Sequence, residues 1–196
     1  MSPSPRVGIV ALQGGVREHI DLLTSLDAVP VPLRRPADLV GPDGLRVDAV
    51  VLPGGESSTI DRLLRMFGLG EPLAEAIAAG LPTLGTCAGL IQLAARIEDP
   101  APGQTGFGVL DVAVRRNAFG RQIDSAEMRL DTAWGAAQVA FIRAPEVVSY
   151  GPGVTPVATL HDRVVAVTQG SITGIAFHPE LTGETLFHRR LLDSIA

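Results

Sequence analysis

The 196-residue sequence predicts an α/β fold, a single three-layer domain over residues 1–196 in which an open sheet carries helices on both faces. Three observations carry that prediction. In the first half, short unbroken apolar runs alternate with apolar residues at helical spacing, the pattern of buried parallel strands and the helices that cover them. Glycine-bearing turns join run to helix at Gly14-Gly15, Gly54-Gly55 and Gly85 to Gly89. Beyond a Pro/Gly-rich loop from Pro100 to Gly108 the pattern changes to closely spaced strands, so hairpins are expected to dominate the second half.

In chain order, Val7 to Leu12 reads as a central strand, and Val16, Ile20 and Leu23 recur as one face of the helix that follows. Val29 to Leu33 and Ala49 to Leu52 give the next strands. After the Gly54-Gly55 turn, Ile60, Leu63, Leu64 and Phe67 form a helical face, with Ser58 and Asp61 spaced as a capping box. Pro82 to Thr86 is a strand and Ala88 to Ala95 a helix. The second half offers strands at Val109 to Val114, Val139 to Ile142, Val157 to Leu160, Val164 to Thr168 and Ile172 to Phe177. Phe187, Leu191 and Ile195 suggest a closing helix.

An apolar content of 46% suits a chain with a full core. The formal charge of −5 argues against a nucleic-acid binder, for which a basic excess is expected. The start, Met1-Ser2-Pro3-Ser4-Pro5, lacks the apolar stretch of a signal peptide, and no run approaches the ~20 residues of a membrane span. One cysteine excludes an internal disulfide and suits a reducing compartment. A cytoplasmic protein is expected.

That cysteine, Cys87, stands in Gly85-Thr86-Cys87-Ala88-Gly89, between strand and helix. A lone cysteine is ordinarily a core residue. A sharp strand-to-helix turn, however, pushes its residue out of the sheet, as in nucleophile elbows, and flanking glycines let the backbone bend. The following helix points N-terminal amides at the sulfur, lowering its pKa and offering a donor to an oxyanion. Phe177-His178-Pro179-Glu180 supplies the complement. Pro179 forbids helix and biases His178 toward extended backbone, so His178 and Glu180 can face the same way. An imidazole held by a carboxylate is what a Cys nucleophile needs. The separation from Cys87 is no objection, because triad members meet in space.

Pro53-Gly54-Gly55-Glu56-Ser57-Ser58 also joins strand to helix, either as a plain turn or as a weakly matching phosphate loop without the lysine and spacing of a Walker motif. Arg116 and Arg143, taken singly, are ordinary surface arginines. Cys87 and the scattered His19, His161, His178 and His188 show no metal-ligand spacing, so no metal is expected, and His161 and His188 read as ordinary polar residues.

The chain nonetheless resembles a known family over nearly its whole length. Leu12-Gln13-Gly14-Gly15-Val16-Arg17-Glu18-His19, Leu52 to Thr59, Gly85 to Leu90, Arg116-Asn117-Ala118-Phe119-Gly120-Arg121-Gln122, Phe141 to Pro145 and Phe177 to Thr182 carry the resemblance. They are similar to the class I, triad-type glutamine amidotransferases, and within them to the glutaminase subunits of pyridoxal 5′-phosphate synthases. The resemblance implies a flavodoxin-like fold and a catalytic triad of Cys87, His178 and Glu180. It implies a glutamine site at Gly54, Gly55, Glu56, Arg116, Ile142 and Arg143, and an oxyanion hole from the amides of Gly55 and Ala88. Gln13 would border the interface with a separate synthase subunit, the implied partner. L-glutamine would be hydrolysed through a glutamyl thioester, and the ammonia passed to that subunit to make pyridoxal 5′-phosphate from a pentose phosphate and a triose phosphate. No cofactor is implied for the glutaminase itself. Gly15 departs from the family, where alanine is common. Alternatives are a glutaminase subunit of another amidotransferase, or a non-catalytic regulatory protein on the same scaffold. Histidine-biosynthesis glutaminases share the elbow and His-Pro-Glu but lack the Arg116 block, and a regulatory relative would be expected to have lost part of the triad.

Overall fold

The computed structural model describes residues 3–119 and 125–195. Met1, Ser2 and the end of the Arg116 block, Gly120, Arg121 and Gln122, lie outside the described residues. The chain runs β1 (Arg6–Val10), α1 (Val16–Ser25), β2 (Val29–Leu33), α2 (Pro36–Leu39), β3 (Val40–Gly41), β4 (Gly44–Leu45) and β5 (Ala49–Leu52). There follow α3 (Ser57–Met66), α4 (Gly70–Ala78), β6 (Thr83–Thr86), α5 (Ala88–Leu93), β7 (Ala94–Glu98) and β8 (Leu110–Arg115). The remainder is β9 (Ser125–Thr132), β10 (Gly135–Ile142), β11 (Glu146–Tyr150), β12 (Thr155–Leu160), β13 (Arg163–Gln169), β14 (Ile172–Ile175) and α6 (Leu186–Asp193).

Among the described residues one mixed sheet has the order β2-β1-β5-β6-β14-β13-β11-β8-β7, with β12 also paired to β13. From β2 to β14 every pairing is parallel, and from β14 to β8 every pairing is antiparallel. The parallel half matches the unbroken apolar runs, since Ala49 to Leu52 and Thr83 to Thr86 are buried throughout. Adjacent strand residues point to opposite faces, which fixes where the helices lie. Gly85 of β6 meets Leu93 and Gly89 of α5, whereas the next residue, Thr86, meets His19 of α1, itself bonded to His188 of α6. So α5 covers one face, and α1 and α6 cover the other.

The structure corrects several local expectations, among them the last strand, which ends at Ile175 and not at Phe177. The first strand ends at Val10, two residues short of Leu12. The helix after Cys87 stops at Leu93, and Ala94 turns extended (ψ 144°) because β7 pairs with β8. A short apolar run such as Ala88 to Ala95 does not by itself distinguish helix from strand. The cap of α3 is not a Ser58–Asp61 box. Glu56 is the N-cap, its carboxylate accepting from the amides of Ser58 and Thr59, while Asp61 is buried and bonded to Arg65 and Thr105. Val139 to Ile142 is a strand as expected, within β10, and among the described residues it stands apart from the main sheet. It lies in a two-stranded ribbon with β9, tied back where His178 and Ala140 exchange backbone hydrogen bonds of 2.8 and 3.3 Å.

Candidate active site

The parallel strands β1, β5, β6 and β14 deliver four turns to one edge of the sheet, where ligands gather in open α/β folds. A cavity of about 350 Å³ opens there. Cys87, His178, Glu180 and Gln13 line it, as do Gly54, Gly55, Glu56, Arg116, Ile142 and Arg143. Ala88 does not. It is buried behind Cys87 as the first residue of α5, so only its backbone is of use to the site.

The elbow differs in physical origin from the sequence reading. The bend is carried by Cys87 itself, at φ 49° and ψ −99°, a conformation an L-residue adopts only when its surroundings enforce it. The amide of Cys87 donates to Ile175 O at 2.7 Å, and its carbonyl accepts from Ile91 at 3.2 Å. Gly85 and Gly89 are not in the left-handed region. They are small because α5 presses on the strands: a Cβ on Gly89 would overlap the Leu52 carbonyl, and one on Gly85 would come within 2.6 Å of Leu93.

Pro179 keeps His178 extended, and the imidazole Nδ1 lies 2.7 Å from Glu180 Oε1. That bond places the Nδ1 proton toward the carboxylate and leaves Nε2 for Cys87. Burial works against the imidazolium. Hydrogen bonds to Cys87 and Glu180, and their negative charges, outweigh it and raise the His178 pKa from 6.5 to about 10. Between the Cys87 sulfur and the Glu180 carboxylate the imidazole thus favours its charged form.

The Gly54-Gly55 turn packs against the same imidazole, and a Cβ on Gly54 would collide with His178. Gly54 O accepts from Gly15 N at 3.0 Å and Gln13 Oε1 accepts from Glu56 N at 2.8 Å, so the first-strand turn holds the glycine loop. Arg116 donates to Gln104 Oε1 at 2.8 Å and pairs with Glu56 Oε1 at 3.4 Å. Glu56 thus caps α3 and braces Arg116. Burial would raise its pKa, but the hydrogen bonds from Ser58 and Thr59 bring it down to about 2. Arg143 sits at φ 42°, beside Ile142, which is 40% exposed.

Sequence reasoning missed several neighbours of this site. Gln104 comes from the Pro/Gly-rich loop, where nothing local marks it. His188, expected to be an ordinary polar residue, is fully buried and bonded to His19 at 2.8 Å, while His161 is exposed. Among the described residues no group of three His, Cys, Asp or Glu could hold a metal ion, and no helix is long and apolar enough to cross a membrane.

Known proteins are similar to this chain over nearly its whole length. The pyridoxal 5′-phosphate synthase subunit PdxT of Corynebacterium diphtheriae is 52% identical over 189 residues, which cover 96% of this chain and 99% of the relative. The protein of the same name from Clavibacter sepedonicus is 53% identical over 195 residues, with 97% and 91% covered. A solved crystal structure of a glutamine amidotransferase is 40% identical and superposes with a TM-score of 0.88, covering 96% of this chain and 98% of that one. At 16% identity and a TM-score of 0.61, PurLQS from Thermotoga maritima shares the fold alone. The SNO glutamine amidotransferase family matches residues 9–195, and the chain belongs to that family.

Proposed function

We propose that the chain is the glutaminase subunit of a pyridoxal 5′-phosphate synthase. The observation that carries the chemistry is the 2.7 Å His178–Glu180 bond at the edge of a cavity that also holds Cys87. The charged imidazole favours a thiolate on Cys87. The sulfur attacks the side-chain amide carbon of L-glutamine, and the amides of Gly55 and Ala88 receive the charge that develops on oxygen. One such donor contributes about 3 kcal/mol in comparable acyl transfer. His178 Nε2–H then protonates the amide nitrogen as the C–N bond breaks, releasing ammonia and leaving a glutamyl thioester on Cys87. A water enters, gives its proton to His178 and displaces the sulfur, yielding L-glutamate and restoring the thiolate–imidazolium pair. Two easier steps replace one difficult hydrolysis.

Arg116 and Arg143 hold the α-carboxylate of glutamine, a task suited to a guanidinium. Glu56 and Gln104 keep Arg116 in place for it. The ammonia passes to a synthase subunit docked near Gln13, a reading supported by this chain's relatives, which are named as subunits of pyridoxal 5′-phosphate synthase. A free buried thiol suits a reducing compartment, and we place the chain in the cytoplasm.

The experiment is synthesis of pyridoxal 5′-phosphate by the assembled complex with Cys87→Ala in place of the wild type. Glutamine-dependent synthesis is expected to vanish and synthesis with ammonium salt to persist. Glutamate release surviving in Cys87→Ala would overturn the triad, and failure of the wild-type complex to use glutamine would overturn the subunit assignment.

A further inference from the structure

Behind Glu180 lies a second pair of ionisable side chains for which the triad chemistry has no use. His19, on α1, and His188, on α6, are both fully buried. Their rings are 5.1 Å apart, and His19 Nδ1 lies 2.8 Å from His188 Nε2. The other nitrogen of His19, Nε2, lies 3.3 Å from Thr86 Oγ1 and 3.6 Å from Glu180 Oε1. The Glu180 side chain is only 1% exposed, and its Oε2 has no hydrogen-bond partner among the described residues. A buried carboxylate needs positive neighbours, and beyond His178 the ring nitrogen that reaches it is that of His19, on the same oxygen, Oε1, that His178 bonds.

The positions of the protons follow from counting donors. Both histidines are held neutral. Burial first, and then the mutual repulsion the two rings would feel if charged and the repulsion from His178, keep His19 well below its ordinary value, and burial brings His188 down to about 4. Each ring then carries one proton, and a single hydrogen is shared across the 2.8 Å contact. If His19 donated it, His188 would carry its proton on Nδ1, a buried atom with no partner among the described residues, and His19 would turn a lone pair toward the Glu180 carboxylate. If His188 donates it, the unpartnered Nδ1 is only a bare acceptor, and His19 Nε2–H points at Thr86 and Glu180. The second arrangement strands no buried donor and avoids lone-pair repulsion, so it is the stable one.

We infer that His19, fixed by His188, is a positioning residue that backs the Glu180 carboxylate and thereby sets the orientation and basicity of His178. At 3.6 Å the contact with Glu180 is a charge–dipole contact rather than a hydrogen bond, and Thr86 takes the hydrogen bond. The ring fills the space behind the carboxylate without bringing a second charge. A protonated His19 would draw Glu180 away from His178, so keeping the pair neutral protects the triad. The charged or titratable groups facing this cluster are Cys87 from the β6–α5 turn, Glu18 and His19 from α1, His188 from α6, and His178 and Glu180 from the segment after β14. Across the cavity stand Glu56, Arg116 and Arg143.

The inference rests on the glutaminase reading, and its test separates the two. In the complex with its synthase partner, His19→Leu is expected to lower kcat about tenfold or more, the scale of lost supporting contacts behind active groups, with KM within twofold. The alkaline limb of its kcat/KM profile should fall by at least one pH unit, because a less firmly held Glu180 supports the imidazolium less. His19→Gln, whose amide can donate from nearly the position of Nε2, should restore most of both. A role in stability alone would shift the melting temperature and leave kcat and the limb unchanged, and that result overturns the proposal. Alkylation of Cys87 by iodoacetamide, followed against pH, needs no glutamine. If its profile is identical in wild type and His19→Leu, the proposal fails even where the glutaminase reading fails as well. Should His19→Leu not fold, His188→Leu carries the same test with a smaller shift, and an unchanged limb there overturns the proposal equally.

Discussion

Gly54 is the position where a single methyl group tests the geometry most directly. Its backbone is outside the left-handed region, so alanine carries no conformational penalty there. The obstacle is the imidazole of His178. A Cβ built on Gly54 lies 2.9 Å from Nδ1 and 3.3 Å from Nε2, and closer still to Cε1. Non-bonded carbons are at rest near 3.5–4.0 Å, so the ring or the loop must retreat by on the order of 1 Å. The ring is pinned at Nδ1 by Glu180 and through its backbone by Ala140, so retreat moves Nε2 away from Cys87. A misplacement of about 1 Å costs roughly a hundredfold in rate, about 2.7 kcal/mol in the barrier. Steady-state glutamate release by the complex should therefore show kcat down about a hundredfold in Gly54→Ala. KM should change less than kcat, because the arginines that hold the glutamine carboxylate lie away from the contact. A folded Gly54→Ala complex with kcat within threefold of the wild type would refute the contact as the reason for glycine.

Gly15→Ala is expected to be tolerated. The backbone there is at φ −75°, a Cβ would meet nothing closer than 3.5 Å, and removing glycine's unfolded-state freedom should add about 0.4–1 kcal/mol in denaturant unfolding. Arg116→Ala should raise KM for glutamine by roughly tenfold to hundredfold, the worth of a charged hydrogen bond, and an unchanged KM would return Arg116 to the surface. Glu56 has a folded pKa of about 2 against an ordinary 4.5, so its contribution to stability is complete above 4.5 and is lost as pH falls through about 2. Acid unfolding monitored by circular dichroism should lose that part of its slope in Glu56→Gln. Glutamate release by the isolated chain should be weak and rise at least tenfold with the synthase partner, because a Gly54-Gly55 peptide held toward Gln13 and Gly15 can respond to docking at that turn. Equal activity alone and in complex would defeat this coupling.

The legible parts of this molecule are those whose physics is local. The parallel strands announce themselves because burial on both faces demands apolar residues in succession, the His-Pro-Glu segment because Pro179 restricts its neighbours, and the elbow because its small residues mark where α5 presses on the strands. What was misread depended on contacts distant in sequence. The chain leaves the helix at Ala94 because β7 pairs with β8 from that residue onward, and only the pairing reveals it. Glu56 took the cap of α3 from Ser58 because the loop before it is held by Gln13, more than 40 residues earlier.

The histidines behind the triad show the same limit in its sharpest form. His19 lies on a helical face with Leu22 and Leu23 and is buried with them, so its position in the pattern signals burial but not a partner. The partner, His188, is 169 residues away, and the carboxylate they back belongs to a third segment. An isolated buried histidine would be an unsatisfied polar group costing about 1–3 kcal/mol, which is reason enough to look for what satisfies it. Here the answer converges on Glu180. The neutral tautomer that spares His188 a stranded proton is also the one that turns a positive dipole toward the carboxylate, so the demands of the core and of the active site are met by one arrangement of hydrogens.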